Sequence, residues 1–446
     1  QAHLRTGTRS RPPTRLPGRG STATTVAAVG DEGKDWFDGA GMGLFVHWTH
    51  ASAAGRELSW PLVGGTTVLA HSGECTVDEY YASVAYFAPA AGAAREWCAA
   101  AAAAGARYAV LTTKHHDGYA LWPSAHASVG VADSGINRDL VAEFVDACRA
   151  EGLKVGFYLS LSDWHHPDYP AFRDEDRPYL LIAYPRPDPE AWARYLGDLF
   201  GQVRELLTDY GELSVLWFDG GWERSAAEWR AAELEALIRE LQPDILLNER
   251  LPSVGDYTTP EQFVPATAPE GRWETCLTMN ESWGYVPEDE DWKTERDLVH
   301  ALCETVGKGG NLLLNIGPRG DGSLDPTEAS RLAAVAGWMD RHGAAIHDVE
   351  PGLEPWQWYG PSTRRDDRVF LMCVQRPYDT VTVRGVPIRR IERIVDLASG
   401  TELAFTTRCA VLDELLNSDP HGEARIEVPA DLVDDLATVF SMDIRP

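Results

Sequence analysis

The sequence of 446 residues lacks several features that would mark a specialised class of protein. No apolar run approaches the roughly eighteen residues that a membrane-spanning helix needs, so no membrane partner is predicted. Basic residues are few: 40 Lys and Arg stand against 68 Asp and Glu, and a net charge of −28 argues against nucleic acid as a partner. The seven cysteines are scattered, with neither a disulfide framework nor Cys-x-x-Cys metal spacing, which favours a reducing compartment.

Residues 1–30 differ in composition from the rest of the chain. Arginines lie there among Pro, Thr, Ser and Gly, and the first acidic residue is Asp31. This composition predicts a disordered, basic leader. The segment has no apolar core of about 7–15 residues, as a secretory signal would, so we expect a cytoplasmic location. Nothing in the sequence predicts the oligomeric state.

Residues 31–346 contain short apolar runs that end in polar residues. The clearest is Val215–Trp222, where four apolar residues lead into Asp219 and two glycines. Similar runs lead into His47, His115, His116, Asp163 and Arg250. Helical patterns lie between them at residues 92–105, 140–151, 189–210, 226–241 and 294–306. Strands that alternate with helices predict parallel βαβ units, and polar residues at the strand ends are typical of the functional rim of an α/β fold, a TIM-type (β/α)8-like barrel.

Residues 347–446 have a different pattern. Alternating stretches predict strands at residues 368–375, 380–386, 391–398, 401–407, 425–428 and 437–444. Turns that contain Gly and Pro separate these stretches, which is typical of an antiparallel sheet. The pattern predicts a small antiparallel β-sandwich domain after the barrel. We expect this domain to brace the barrel rather than to bind carbohydrate.

Five motifs stand in consistent order between about residues 36 and 346. They are Phe45–Trp48, Thr113–Gly118, Leu216–Gly220, Trp273–Cys276 with Ser282–Tyr285, and Gly309–Pro318. Together they resemble the bacterial α-L-fucosidases of glycoside hydrolase family 29. That resemblance implies a retaining exo-hydrolase that releases terminal α-linked L-fucose from oligosaccharides and glycoconjugates. We expect the enzyme to need neither a metal ion nor another cofactor.

Asp219 matches the nucleophile of that family. Retention requires one carboxylate as nucleophile and a second carboxyl as general acid/base, about 5–5.5 Å apart. Asp219 should therefore stay ionised and form a fucosyl ester. We expect His115, His116 and Arg250 to favour its charged form. Glu223 is the nearest rival in the sequence, but it matches no motif.

Three glutamates that follow Arg250 are candidates for the acid/base. Glu261 is preferred, because its spacing from Arg250 best matches the resembled family. Glu274, at the start of an apolar strand, is its rival and is alternatively a structural acid or one that orients a neighbour. Glu270 is the third candidate. The acid/base must hold its proton near neutral pH, so burial or the charge of Asp219 should raise its pKa.

Further residues match positions that hold fucose in the resembled family: His47, Trp60, His115, His116, Tyr158, Arg250 and Trp283. His and Arg supply hydrogen bonds to hydroxyl groups, whereas Trp and Tyr cover the C5 methyl group and the apolar face of the ring. Many relatives carry Glu directly before the tryptophan, where this chain has Ser59. We therefore expect Glu57 or Ser59 to supply that hydroxyl contact, and residues 163–166 to line an outer subsite.

Two other classes of function are alternatives. A metal-dependent barrel hydrolase would use histidines and acids at strand ends as ligands. Such barrels usually offer His-x-His, which places both side chains on one side of a strand, whereas His115 and His116 are adjacent. A non-catalytic sugar-binding protein would lack a catalytic carboxyl group, but Asp219 is present in its motif.

Overall fold

The structure is a computed structural model that describes residues 33–63, 69–171, 173–174 and 184–446. The leader predicted for residues 1–30 lies outside the described residues. The strands up to residue 316 are β1 (Met42–Val46), β2 (Tyr108–Lys114), β3 (Tyr119–Ala120), β4 (Val129–Gly130), β5 (Lys154–Ser160), β6 (Val215–Asp219), β7 (Leu246–Leu247), β8 (Tyr257–Thr258), β9 (Arg272–Leu277) and β10 (Asn311–Ile316).

The helices lie mostly between these strands. They are α1 (Val77–Tyr81), α2 (Ala93–Ala103), α3 (Leu140–Ala150), α4 (Pro189–Asp209), α5 (Ala226–Trp229), α6 (Ala231–Leu241), α7 (Glu295–Gly307), α8 (Pro326–His342) and α9 (Val411–Leu416). Short 3-10 helices occupy Asp35–Phe37, His50–Ala54, Trp60–Val63, Ala82–Tyr86, Gly221–Glu223, Gly343–Ala345 and Ala430–Leu432. Within the described residues, no helix combines the length and the apolar character needed to cross a bilayer.

Eight parallel strands form the central sheet, in the order β7, β6, β5, β2, β1, β10, β9 and β8. The two end strands, β7 and β8, have two residues each. A parallel bridge between Asn248 and Tyr257 joins them, and the Asp256 amide donates to the Leu247 carbonyl over 2.7 Å. The sheet thus closes into the predicted (β/α)8-like barrel, with one irregular seam.

Burial explains why these segments form strands and helices. All five residues of β6 are buried, because helices cover the sheet outside and side chains fill it inside. The helix α4 begins with Asp188 as its N-cap and Pro189 at its first turn. Its buried apolar residues recur every three or four positions: Trp192, Tyr195, Leu196, Leu199, Val203, Leu206 and Leu207.

The single helix predicted for residues 226–241 is wrong, because the structure breaks it into α5 and α6. Arg230 stands between them with φ of 51°, in the left-handed region. Ser225 and Glu228 form a capping box that stabilises the short α5 on its own. The Trp229 indole of α5 donates to the Gly221 carbonyl over 2.8 Å, and this bond ties α5 to the turn after β6.

The rest of the chain forms two antiparallel sheets. Their strands are β11 (Glu350–Pro351), β12 (Ser362–Arg365), β13 (Arg368–Cys373), β14 (Thr380–Pro387), β15 (Ile391–Asp396), β16 (Phe405–Arg408), β17 (His421–Glu427) and β18 (Thr438–Ile444). The order is β11, β12, β13, β18, β15 in one sheet and β14, β17, β16 in the other. They confirm the predicted β-sandwich, although β11, β12 and the exposed helix α9 were not predicted.

The sandwich is attached to the outer helices of the barrel. The Trp338 indole of α8 donates to the Ala437 carbonyl over 2.8 Å, and His300 of α7 bonds the Leu436 carbonyl at 2.9 Å. All seven cysteines of the chain are free thiols.

Candidate active site

A cavity of about 420 Å³ opens at the carboxyl ends of the barrel strands. Its lining consists of Phe45, His47, Trp60, Leu69, His115, Tyr158, Trp217, Asp219, Trp222, Arg250, Glu261 and Trp283. The preferred catalytic pair, Asp219 and Glu261, is included, as are all the predicted fucose-binding residues except His116. The His116 ring nitrogen Nε2 nevertheless lies 3.6 Å from Asp219 Oδ2. The cavity volume falls within the roughly 300–1,000 Å³ of small-molecule sites.

Asp219 ends β6 and is 8% exposed. Its Oδ2 accepts a hydrogen bond of 2.9 Å from the Tyr158 hydroxyl, and its Oδ1 accepts one of 3.1 Å from Arg250. Burial alone would raise the pKa of Asp219, but the Arg250 guanidinium and the Tyr158 hydroxyl bring that pKa below its ordinary value. The carboxylate is therefore ionised at neutral pH.

Arg250 connects the two predicted catalytic carboxyl groups. One Nη donates to Asp219, and the other donates to Glu261 Oε2 over 2.6 Å. The guanidinium carbon lies 4.5 Å from the centre of the Trp217 ring, in a cation–π contact, and Nε donates to the Thr259 hydroxyl. Because both carboxyl groups bind the same guanidinium, they face one cavity within reach of one bound sugar.

His47 presents a hydrogen-bond acceptor to the cavity. Its Nδ1 lies 2.6 Å from the side-chain oxygen of Asn315, whose amide nitrogen donates to the Trp283 carbonyl. That arrangement leaves the Asn315 oxygen as acceptor, so His47 carries its proton on Nδ1 and keeps Nε2 as a free lone pair. Burial lowers the pKa of His47 to about 3, so its ring is neutral.

His115 and His116 are also neutral and buried. The His116 Nδ1 lies 2.6 Å from the Ser160 hydroxyl, which itself donates to the Ser162 carbonyl. The proton of His116 is therefore on Nδ1, and its buried Nε2 has no hydrogen-bond partner within the described part of the chain. Burial lowers the pKa of His116 to about 4 and that of His115 well below its ordinary value. The unpaired Nε2 of His116 is an unused acceptor that lies 3.6 Å from Asp219 Oδ2.

Glu57 and Ser59 have different contacts from those that the sequence predicted. The fully buried Glu57 carboxylate accepts backbone bonds from Trp283 at 2.7 Å and Gly284 at 2.8 Å. The Ser59 hydroxyl lies 2.6 Å from His115 Nδ1 and accepts from the Asp117 amide. Neither side chain lines the cavity. Both instead fix residues that do, Trp283 and His115.

The three acid/base candidates occupy different environments. Glu261 lines the cavity, with 37% of its side chain exposed. Glu270 is exposed to solvent and lies outside the cavity lining. Glu274 is fully buried on β9, where it accepts hydrogen bonds from the Tyr108 hydroxyl at 2.5 Å and the Trp217 indole at 2.9 Å. Burial raises the pKa of Glu274 to about 7.

Four residues of the lining were not predicted from the sequence: Phe45, Leu69, Trp217 and Trp222. Strand periodicity was a usable signal for Trp217, because it lies two positions before Asp219 and so on the same face of β6. No comparable signal identifies Leu69, which lies in a bend, or Trp222, which lies on a short 3-10 turn. The predicted outer subsite at residues 163–166 is not part of the lining, although the Trp164 ring packs 5.0 Å from His116.

The described residues include one group of three side chains close enough to share a cation, His71, Asp289 and Asp291. Their ligand atoms lie within 4.8 Å of one another. The group contains neither Asp219 nor the paired histidines.

Known proteins are similar to this chain in both sequence and structure. The family model for α-L-fucosidase matches residues 19–344. Tissue α-L-fucosidase from Bos taurus is 33% identical over 71% of this chain and 69% of its own length. The corresponding enzyme from Rattus norvegicus is 31% identical over 83% of each chain.

Two solved structures share the fold. α-L-Fucosidase isoenzyme 1 from Paenibacillus thiaminolyticus superposes with a TM-score of 0.81 and 33% identity, over 93% of this chain and 99% of that one. A family 29 α-L-fucosidase from Bacteroides thetaiotaomicron, solved as a trapped covalent intermediate with 2-fluoro-fucosyl fluoride, superposes with a TM-score of 0.79 and 26% identity. That match covers 94% of this chain and 97% of the other.

Proposed function

The chain belongs to the α-L-fucosidase family of glycoside hydrolases, and we propose that it cleaves terminal α-linked L-fucose with retention of configuration, through an ester on Asp219. One observation carries this proposal. A single guanidinium, that of Arg250, binds both Asp219 and Glu261 at the edge of one cavity. Retention needs two carboxyl groups on opposite sides of one anomeric carbon, and two carboxyl groups held by one guanidinium at one cavity support this assignment.

In the first step Asp219 attacks the anomeric carbon. A new bond forms between a carboxylate oxygen and that carbon, while the bond to the leaving-group oxygen breaks. Glu261 gives its proton to the departing oxygen, so the leaving group departs as a neutral alcohol. Arg250 and Tyr158 keep Asp219 ionised and aimed at the cavity before the reaction begins.

In the second step Glu261 acts as a base. It takes a proton from a water molecule, whose oxygen attacks the same carbon from the face that the leaving group vacated. The ester bond breaks, Asp219 recovers its charge, and α-L-fucose is released. Two inversions at one carbon give net retention.

The floor of the cavity supplies what a deoxy-sugar needs for binding. The Nε2 atom of His47 is a lone-pair acceptor for a hydroxyl group, and the Nε2 atom of His116, outside the lining, lies 3.6 Å from Asp219 Oδ2. The rings of Phe45 and Trp283 offer apolar surface to the C5 methyl group. The substrate class is then a fucosylated oligosaccharide or glycoconjugate. The trapped covalent intermediate of the Bacteroides thetaiotaomicron relative supports an ester mechanism for this chain too.

Trapping of the ester tests the proposal. We expect 2-deoxy-2-fluoro-fucosyl fluoride to inactivate the enzyme and to add one fluorofucosyl group to the peptide that contains Asp219, detected by mass spectrometry. NMR of an early time point with an aryl fucoside should show α-L-fucose as the first anomer. An Asp219→Gly variant should stay unlabelled, and azide should restore its turnover with β-fucosyl azide as product. A label on another side chain, or β-fucose as the first product, would contradict the mechanism.

A further inference from the structure

The mouth of the cavity is more exposed than its floor, and it is aromatic. Asp219, His47 and Trp283 on the floor are buried, whereas Trp222 is 48% exposed. Trp60 and Leu69 are half-buried and line the same cavity. An exposed indole in a concave site is a ready apolar surface for a ligand.

Trp222 is held in a defined position close to the nucleophile. It lies three residues after Asp219, on the 3-10 turn Gly221–Glu223. Its indole nitrogen donates to the Tyr184 hydroxyl over 2.9 Å, and its ring meets His116 edge-on at 5.7 Å. A surface that is fixed before binding loses little side-chain entropy when a ligand arrives.

The turn before Trp222 requires glycine. Gly220 adopts a left-handed φ of 74°, and a Cβ on Gly221 would lie 2.0 Å from the Arg250 carbonyl oxygen. These two residues let the chain pass directly against the Arg250 backbone. As a result the exposed indole and the guanidinium that binds both catalytic carboxyl groups border the same opening.

Trp60 adds a second indole to the lining of the same cavity. Its ring meets the His116 ring edge-on at 5.5 Å, and it packs against Trp164 at 5.8 Å. His116 thus supports three indoles, two of which border the cavity. The cation at this opening, Arg250, is already bound to Asp219 and Glu261. The mouth therefore suits an uncharged group with an apolar face.

We propose that Trp222, together with Leu69 and the outer edge of Trp60, forms the leaving-group subsite, and that it binds the apolar face of an uncharged pyranose joined to fucose. This inference rests on the proposed function. If a terminal fucose fills the floor, with its anomeric carbon at Asp219, the group attached to that carbon must extend to the mouth. There it meets Glu261, which protonates its oxygen, and the indole of Trp222.

Comparison of two substrates isolates this subsite. Fucosyl fluoride has a leaving group too small to reach the mouth, whereas a fucosyl disaccharide fills it. Fucosyl disaccharides with α1,2, α1,3, α1,4 and α1,6 linkages are first tested with the wild-type enzyme. The one that it cleaves fastest is used for the comparison. For Trp222→Ala we expect the ratio of kcat/KM for the disaccharide to kcat/KM for the fluoride to fall about tenfold, the effect of one lost apolar contact.

Trp222→Phe keeps an aromatic face and should recover most of that ratio. Trp356→Ala removes a comparably exposed indole from the C-terminal part of the chain, and the ratio should stay at the wild-type value. Transfer of fucose from the fluoride to an added β-galactoside should also fall relative to hydrolysis in Trp222→Ala, because the acceptor binds where the leaving group does.

An equal loss of kcat/KM for both substrates in Trp222→Ala would contradict the proposed subsite. Hydrolysis of the fluoride but of none of the disaccharides by the wild-type enzyme would contradict it too. Failure of the wild-type enzyme to hydrolyse the fluoride would instead overturn the proposed function itself.

Discussion

Two buried carboxyl groups lie in the same barrel, and their pKa values are shifted in opposite directions. Asp219 on β6 and Glu274 on β9 each accept a hydrogen bond from a tyrosine hydroxyl, of 2.9 Å from Tyr158 and 2.5 Å from Tyr108. The pKa of Asp219 lies below its ordinary value, whereas burial raises the pKa of Glu274 to about 7.

The difference comes from one cation. Arg250 lies 3.1 Å from Asp219, whereas the Tyr108 hydroxyl and the Trp217 indole that donate to Glu274 are both neutral. Trp217 stands between the two environments, with the guanidinium of Arg250 over its ring and Glu274 at its indole nitrogen. Burial alone therefore does not make a reactive acid. A paired cation and access to the cavity distinguish Asp219, the proposed nucleophile, while Glu274, held by neutral donors, supports the Trp217 ring.

The largest predicted effect on activity concerns the three glutamates that follow Arg250. Glu261→Ala removes the proposed acid/base and should lower kcat/KM by about 10²–10⁴-fold for a substrate with a poor leaving group, because proton transfer is lost. A substrate with a good leaving group should still form the ester quickly and then hydrolyse it slowly, and azide should give α-fucosyl azide. Steady-state and burst kinetics measure both steps.

Glu270→Ala is the matched control, because Glu270 is an exposed glutamate outside the cavity lining; it should keep the wild-type kinetics. Azide rescue in Glu274→Ala, with none in Glu261→Ala, would reverse the assignment. Glu274 would then be the proton donor despite its contacts with Tyr108 and Trp217.

Arg250→Met should make the environment of Asp219 resemble that of Glu274. Loss of the guanidinium leaves burial as the main influence, so the pKa of Asp219 should rise. Activity requires the ionised carboxylate and is lost as pH falls through that pKa, so the acid limb of the kcat/KM profile should move to higher pH. We also expect kcat/KM at its optimum to fall by about 10²–10³-fold, as when one charge-stabilising donor is removed.

Arg250→Lys retains a cation and should move the acid limb less than Arg250→Met does. Arg239→Met breaks a different arginine–aspartate pair, with Asp256 at 2.7 Å, and should leave the acid limb in place. An unmoved acid limb in Arg250→Met would mean that Arg250 does not set the charge of Asp219.

The sequence predicted the barrel because its signals were local and repeated. Apolar runs that end in polar residues mark parallel strands, and the strand ends of a barrel meet at one rim. The pattern placed Asp219 and Arg250 at one rim, whereas Glu261 was predicted from the resemblance to the fucosidase family; all three line the same cavity. The apolar-run pattern correctly predicts strands such as β6, because a strand buried on both faces has a continuous apolar sequence.

Contacts between segments that are far apart in the sequence could not be predicted from these local patterns. The hydrogen bonds from the Trp283 and Gly284 amides to Glu57 join residues more than two hundred positions apart. Sequence periodicity also does not show that Glu261 faces the cavity while Glu274 faces Tyr108. The break at Arg230 was missed because residues 226–241 have a continuous helical pattern, and a left-handed arginine has no local signature.

The smallest effect concerns stability rather than activity. Glu274 has a folded-state pKa raised to about 7, well above its value of 4.5 in an unfolded chain. Between these two pH values the folded state binds more protons than the unfolded state, so stability falls as pH rises. One pKa unit corresponds to about 1.4 kcal/mol, so this group alone lowers the free energy of unfolding by a few kcal/mol from pH 4.5 to above pH 7.

Glu274→Gln should remove that dependence, because an amide stays neutral while still accepting from the Trp217 indole. Glu57 and Glu328 also have pKa values raised to about 7, and their contributions cancel when the variant is compared with the wild type at each pH. The difference in Tm, variant minus wild type, should therefore rise by a few degrees between pH 5 and pH 8. Glu270→Gln, at an exposed position, should give a flat difference. A flat difference for Glu274→Gln as well would show that Glu274 is not held protonated in the fold, and the contrast with Asp219 would be lost.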